Sequence, residues 1–412
     1  MSVKKRIIFA DHLNIARGKY VKADANVANF CSLIFRSTYA DSMIADDDLG
    51  SMYDLQAVVD DNSTHGSSWE DNTTLNIADL YVDDKPFYLC ARGHLKKTLA
   101  KFHELGFYPY VGFEVEGYLF EKDGAGEWQP NNNRGAKIYG TGRIADPTNL
   151  LTDIWNRASE CFIPMESMST EFDPAQYEFA LEHQQALTAV DNLFLFKQMS
   201  RELAAEKGYR LTYMPNPIEN RSVAALHYNI SLKNKDGVNL MPEMASQCIA
   251  GLLHHHKALS AIVASTVSSY EQIAPGKMSG YWANWAEDTR LTTIRSFPKH
   301  GDKSRIEYRL TDFGANPYFC LNAMLQTILL SITNNYPLIP SVSNNKMIEQ
   351  KSDNHMPLSL SDALVELRND TALVEALGTR VVDHYIKVKE LESKNISGTT
   401  FKQQFDYYSP FL

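Results

Sequence analysis

The chain has 412 residues, 44% hydrophobic and 22% charged, the balance of a soluble globular protein too long for one ordinary core. Two domains, or one large domain with an appendage, are expected. A net charge of −10 argues against nucleic acid or an anionic membrane surface as the main partner.

Residues 1–88 carry short β-type runs (RIIFA, LQAVVD, PFYLC) separated by polar turns, and DDNSTHGSSWEDNTT reads as an exposed loop. ARGHLKKTLAKFHELGF is a helix, with Leu95, Leu99 and Phe102 on one face and Gly106 at its end. The strand YVGFEVEGYLF follows, then a turn-rich hairpin region and a strand-like ESMSTEFDPAQYEFAL. Next come the helix EHQQALTAVDNLFLFKQMSRELAAEKG, the strand AALHYNISL and one long helix over MASQCIAGLLHHHKALSAIVASTV. Strands around RLTTIRSF and SRIEYRL precede a helical C-terminal part. Without βαβ alternation or a Gly-x-Gly-x-x-Gly run, the fold class is α+β with an antiparallel sheet.

Cys31, Cys90, Cys161, Cys248 and Cys320 are scattered without zinc-knuckle spacing, which suits reduced thiols and a cytoplasmic location. The opening MSVKKRIIFADHLN is too short in apolar residues for a signal peptide, and no stretch reaches the roughly 20 apolar residues of a membrane span.

The strands hold charges where apolar residues are the norm. Glu114 and Glu116, two apart, point to one face of their strand. Glu171 and Glu178 lie in TEFDPAQYEF. His227, Asn229 and Ser231 share a face, as do Arg305, Glu307 and Arg309. One such pair is the ordinary pattern of a solvated sheet face; four segments with the same habit are not. Inward carboxylates cost several kcal/mol each unless compensated. Divalent cations compensate them, and carboxylates with one imidazole suit Mg²⁺ or Mn²⁺. Arginines on the same face point to an anion beside the metals, the combination that phosphoryl transfer needs.

In order along the chain, GFEVEGYLF, EFDPAQYE, YMPNP, LHYNISL, EDTRLTTIR and SRIEYRLTDFGANPY resemble the signatures of type I glutamine synthetase and its amine-ligase relatives. The resemblance implies a small N-terminal β-grasp domain (1–88) and a larger catalytic domain (89–412) with a curved antiparallel sheet flanked by helices. It implies ring-type homo-oligomers, decamers or dodecamers, with sites between subunits. It also implies an ATP-dependent reaction in which a carboxylate takes the γ-phosphoryl group and an amine then displaces phosphate. Carried over by position, Glu116, Glu171 and Glu178 would hold one metal and Glu114, His227 and Glu307 the second. Arg290, Arg295 and Arg305 would grip phosphate oxygens, Arg309 would face the reacting carboxylate, and Ser231 and Glu166 would lie near the nucleotide.

The departures from the family pattern fall in the substrate half. The flap glutamate of the family falls at Met278, the arginine for the α-carboxylate of glutamate at Gln272, and the Asn-Gly pair of the glutamate site at Ser222-Val223. Met278 and Trp282 make a more apolar amine pocket. The expectation is a ligase joining a small carboxylic acid, glutamate by default, to an organic amine rather than ammonia. The alternatives are glutamine synthetase proper and a catalytically inactive ring protein of the same fold. His12, His183 and the run His254–His256 are assigned to structure, as is Lys19. Trp69 and Asp60 or Asp61 are placed on a loop that could reach a neighbouring subunit.

Overall fold

The computed structural model describes residues 3–40, 42–66, 69–271, 273, 280–342 and 354–412. Two sheets organise the chain. The first contains β1 (Lys4–Ala10), β2 (Ala16–Lys22), β3 (Val27–Cys31), β4 (Asp54–Gly66), β5 (Thr73–Val82) and β6 (Lys85–Pro86). Its order is β2-β1-β5-β4-β3, with β6 on β5; β1 and β5 run parallel and the other pairs antiparallel. The consecutive apolar residues Ile7, Ile8 and Phe9 are buried on both faces of β1. Ile7 and Phe9 pack with Phe30, Phe35 and Leu55 in the sheet's own core. Ile8 faces the other way, with Leu75 and Ile77, into the main core beside Leu95, Leu99 and Phe102 of the helix Ala91–Glu104. Gly106, at φ +80°, ends that helix in a backbone conformation that side chains disfavour.

The second sheet contains β7 (Tyr108–Lys122), β8 (Trp128–Pro130), β9 (Met165–Thr170), β10 (Gln176–Gln185), β11 (Arg210–Thr212), β12 (Leu226–Lys233), β13 (Trp285–Glu287), β14 (Ile294–Phe297) and β15 (Arg305–Tyr308). Its order is β13-β14-β15-β12-β7-β10-β9, with β8 and β11 both paired to β7. It is antiparallel except for β13 and β14, which run parallel. One face is apolar: Phe113, Val115, Phe179, Tyr228, Ile230, Ile306 and Tyr308 are buried in the main core. The helices Ala186–Glu206 and Met241–His254 pack on this sheet. The alternate residues of the same strands form the opposite face, where the charges lie. Gly117 on β7 leaves the space that the Tyr213 ring occupies, since a Cβ there would stand 2.9 Å from it.

Four local expectations are corrected. The polar DDNSTHG stretch is no exposed loop: it continues β4 to Gly66 across a register shift between Val59 and Thr64. Trp69 is buried in the main core and its Nε1 donates to Glu202 Oε2 at 2.6 Å. The single long helix is two, Met241–His254 and His256–Val263, broken where His255 Nδ1 turns to Asp370 Oδ2 at 2.6 Å. ESMSTEFDPAQYEFAL is two antiparallel strands, β9 and β10, because the turn at Asp173–Ala175 folds the segment back on itself. No helix among the described residues is long and apolar enough to cross a membrane.

Arg92 ties the first sheet to the helix Ala186–Glu206, which packs on the second. Its buried guanidinium donates to Asp79 on β5 and Asp60 on β4, each at 2.9 Å, and to both oxygens of Asp191 on the helix Ala186–Glu206, at 2.9 and 2.8 Å. Asp60, also held by Lys96 at 3.2 Å, is therefore engaged within its own chain.

Candidate active site

Strand register assembles the charged face. His227 on β12 stands opposite Glu114 on β7, and Glu116 on β7 stands opposite Glu178 on β10. One row along, Arg295 on β14, Glu307 on β15 and Asn229 on β12 are successive cross-strand partners. Two groups result. Ligand atoms of Glu114, His227 and Glu307 all lie within 4.8 Å of one another, and so do those of Glu116, Glu171 and Glu178.

The two groups differ in electrostatics. In the first, His227 Nδ1 donates to Glu114 Oε2 at 3.2 Å and faces Glu307 Oε1 at 3.6 Å. Asn229 Nδ2 donates to Glu114 Oε1 at 3.2 Å. Burial pushes the Glu114 carboxyl up, but His227 and Asn229 outweigh it and hold it at about 2. Glu307, 1% exposed, is paired by Arg295 at 3.3 Å and by Arg309. In the second group no carboxylate has an ion-pair partner among the described residues. Gln176 Nε2 and the Ala225 N–H donate to Glu116 Oε2, at 2.9 and 3.1 Å. Burial, with the charges of Glu171 and Glu178 added, pushes Glu116 up to about 8. Burial, then Glu114 and Glu171, pushes Glu178 up to about 7, and Glu171 is raised mainly by burial. Five carboxylates and one imidazole, crowded at a cost that cations relieve, fit hard divalent ions.

Arginines border these groups. Arg295 and Arg305 flank the Phe297 ring, 4.4 and 4.1 Å from its centroid, and Arg305 Nε donates to Asn229 Oδ1 at 2.8 Å. Arg290 is exposed, and its charge pulls against the upward shifts of Glu171 and Glu178. A cleft of about 320 Å³ opens beside the metal-type groups, lined by Glu114, Glu178, Glu166, His183, Asn229 and Arg305, among others. Ser231 reaches it through His183, its Oγ lying 3.0 Å from His183 Nε2.

Residues 88–408 match the family model of the glutamine synthetase catalytic domain. The chain belongs to the glutamine synthetase family. The glutamine synthetases of Pyrococcus abyssi (strain GE5 / Orsay) and Staphylococcus aureus (strain MRSA252) are 33% and 28% identical to it over 341 and 333 residues, spanning 78% and 77% of this chain and 75% and 74% of theirs. Among solved structures, GmaS in complex with ADP is similar at 25% identity and a TM-score of 0.84, over 97% of this chain and 95% of that one. A protein described as a novel glutamine synthase homolog matches in fold, at 22% identity and a TM-score of 0.86, over 100% of this chain and 99% of that one. As a member of the glutamine synthetase family the protein is an ATP-dependent, amide-forming ligase that uses divalent metal ions.

The substrate half is less uniform. Ser222 and Val223 lie at the edge of the charged face: Ser222 N donates to Asp173 Oδ2 at 2.7 Å, and Val223 O accepts from Gln176 Nε2 at 3.0 Å. Trp282 packs against Tyr281 and His355. Gln272 and Met278 lie outside the described residues. Gln176 was not singled out from sequence, although it precedes Glu178 by two and so shares its face. His183 was assigned to structure alone. Its place in the cleft follows from a register shift between Leu181 and Gln184, which strict alternation does not foresee.

Proposed function

We propose that this glutamine synthetase family member joins a small carboxylic acid to an organic amine rather than to ammonia. The ligase chemistry in this reading rests on one observation: two ligand-type groups side by side, bordered by Arg295, Arg305 and Arg309. Glu116, Glu171 and Glu178 would hold one divalent ion, and Glu114, His227 and Glu307 a second, either Mg²⁺ or Mn²⁺. Held there, the ions would supply positive charge that offsets the charge of the phosphates. Arg290, Arg295 and Arg305 would bind phosphate oxygens, and Arg309 would orient the acid's carboxylate. Ser231 and Glu166 would border the nucleotide in the 320 Å³ cleft.

A carboxylate oxygen attacks the γ-phosphorus of ATP and ADP leaves. The amine nitrogen then attacks the acyl carbon, the C–O bond breaks, inorganic phosphate departs and a proton passes to solvent. The preference for an organic amine is supported by Met278 at the place of the family's flap glutamate, and by the likeness to GmaS, a γ-glutamylmethylamide synthetase. We further propose the domain boundary at residues 88 and 89, assembly into a decameric or dodecameric ring, and a cytoplasmic location.

Phosphate release with ATP, Mg²⁺ or Mn²⁺, and panels of acids and amines tests the reading. Fastest turnover with a primary alkylamine is expected; fastest turnover with glutamate and ammonia would overturn it. The second outcome is glutamine synthetase proper, the name carried by the Pyrococcus and Staphylococcus relatives. Calorimetry showing no ATP binding with either ion would point to an inactive ring protein.

A further inference from the structure

A second recess adjoins the group formed by Glu114, His227 and Glu307. It holds about 40 Å³ and is walled by Val223, Ala225, Ala264 and Ile273, with His227 and Arg309 also lining it. His227 and Arg309 already belong to the charged face: His227 donates to Glu114, and Arg309 pairs with Glu307; Ser269, Thr311 and Asp312 are the other polar residues of the lining. The recess therefore begins where an acid's carboxylate would meet Arg309, and it receives whatever that carboxylate is attached to.

The chemistry of its walls restricts that attachment. Ala264 is 1% exposed, and Val223 and Ile273 are half-buried. Arg309 is the one guanidinium or ammonium among the described residues that line the recess. The one carboxylate among the described lining residues is Asp312, whose Oδ1 accepts from the Gly314 N–H at 2.9 Å and which offers no cation to a second carboxylate. A water-sized group needs about 10–15 Å³ of such volume, so the recess takes only a few heavy atoms. Each methylene buried there favours binding by roughly fourfold, whereas a second carboxylate would lose its water without gaining a second cation among the described residues.

We propose that the acid substrate is a small aliphatic monocarboxylate, its carboxylate at Arg309 and its short alkyl group in the recess formed by Val223, Ala264 and Ile273. The proposal rests on the ligase reading above and narrows it.

The test measures phosphate release and amide product with ATP, Mg²⁺, a fixed primary alkylamine, and acetate, propionate, butyrate, isobutyrate, hexanoate, glutarate or glutamate. Short monocarboxylates are expected to exceed glutamate at least tenfold in kcat/KM, with a drop at hexanoate. Val223→Ala should move the optimum toward a longer acid and Val223→Leu toward acetate. Preference for glutamate or glutarate, or a chain-length profile unmoved by both variants, would overturn the proposal and leave the ligase standing. Should either variant fail to fold, the wild-type profile decides alone. Absence of ATP-dependent turnover with every acid would remove the ligase reading itself.

Discussion

Glu114 and His227 face each other across β7 and β12, with His227 Nδ1 donating to Glu114 Oε2 at 3.2 Å. The same nitrogen lies 3.6 Å from Glu307 Oε1, so one imidazole spans carboxylates from two other strands. His227→Ala is expected to keep the fold, because the strand's apolar face is untouched, while phosphate release falls by about 100-fold or more and Mn²⁺ binds at least tenfold more weakly. Parallel turnover and calorimetry would check this. An unchanged Mn²⁺ affinity would remove His227 from the ligand set.

Glu116, Glu171 and Glu178 give a second measurable consequence. None has an ion-pair partner among the described residues, so a divalent ion held by them would relieve their mutual repulsion in the folded state only. Ion at 100 times its Kd adds about 2.7 kcal/mol of stability. Thermal unfolding should therefore shift upward by several degrees when Mn²⁺ or Mg²⁺ is added to chelator-treated protein. In Glu178→Gln the shift should shrink, because a neutral amide supplies neither the charge nor the second oxygen.

Arg92 is the point where loss of one side chain should do most harm. Its guanidinium is 5% exposed and pairs with Asp60, Asp79 and Asp191 together, with Lys96 also on Asp60 and Asp79. Arg92→Leu leaves the buried Asp191 without its cation, while Asp60 and Asp79 keep only Lys96, a cost of about 3–5 kcal/mol. Arg92→Lys keeps the charge but loses the forked contact to both oxygens of Asp191 and should cost less, about 1–3 kcal/mol. Urea unfolding of the two variants orders them; equal midpoints would mean that charge alone matters.

Much of this site was legible because strands repeat every two residues. Glu114 with Glu116, His227 with Asn229 and Ser231, and Arg305 with Glu307 and Arg309 were each assigned to one face from spacing, and the register places those faces side by side. What spacing does not contain is which strands neighbour one another: β12 lies between β7 and β15 although over a hundred residues separate β7 from β12. Irregularities were equally hidden. The shift that brings His183 to the cleft, and the break that turns His255 toward Asp370, both depend on partners distant in sequence. Trp69 was misplaced for a related reason: its polar neighbours suggest an exposed loop, but Glu202, far along the chain, draws the indole inward.

Asp312 offers a pH test outside the candidate ligands. Burial pushes its carboxyl from 3.8 up to about 7, against hydrogen bonds from Ser269 and the Gly314 N–H that pull it down. A carboxyl with a raised folded-state pKa binds its proton more tightly when folded. Between pH 3.8 and about 7 the native state therefore holds more protons than the unfolded chain, and stability falls as pH rises, levelling off above 7. Asp312→Asn removes this titration while an amide oxygen can still accept from Gly314. Comparing urea midpoints of wild type and Asp312→Asn at pH 5 and pH 8 cancels the other titrating groups. Wild type should lose stability relative to the variant by about 1.4 kcal/mol per pH unit at most within that window. Parallel profiles would mean that Asp312 is already ionised at pH 5, and that the polar groups around it outweigh its burial.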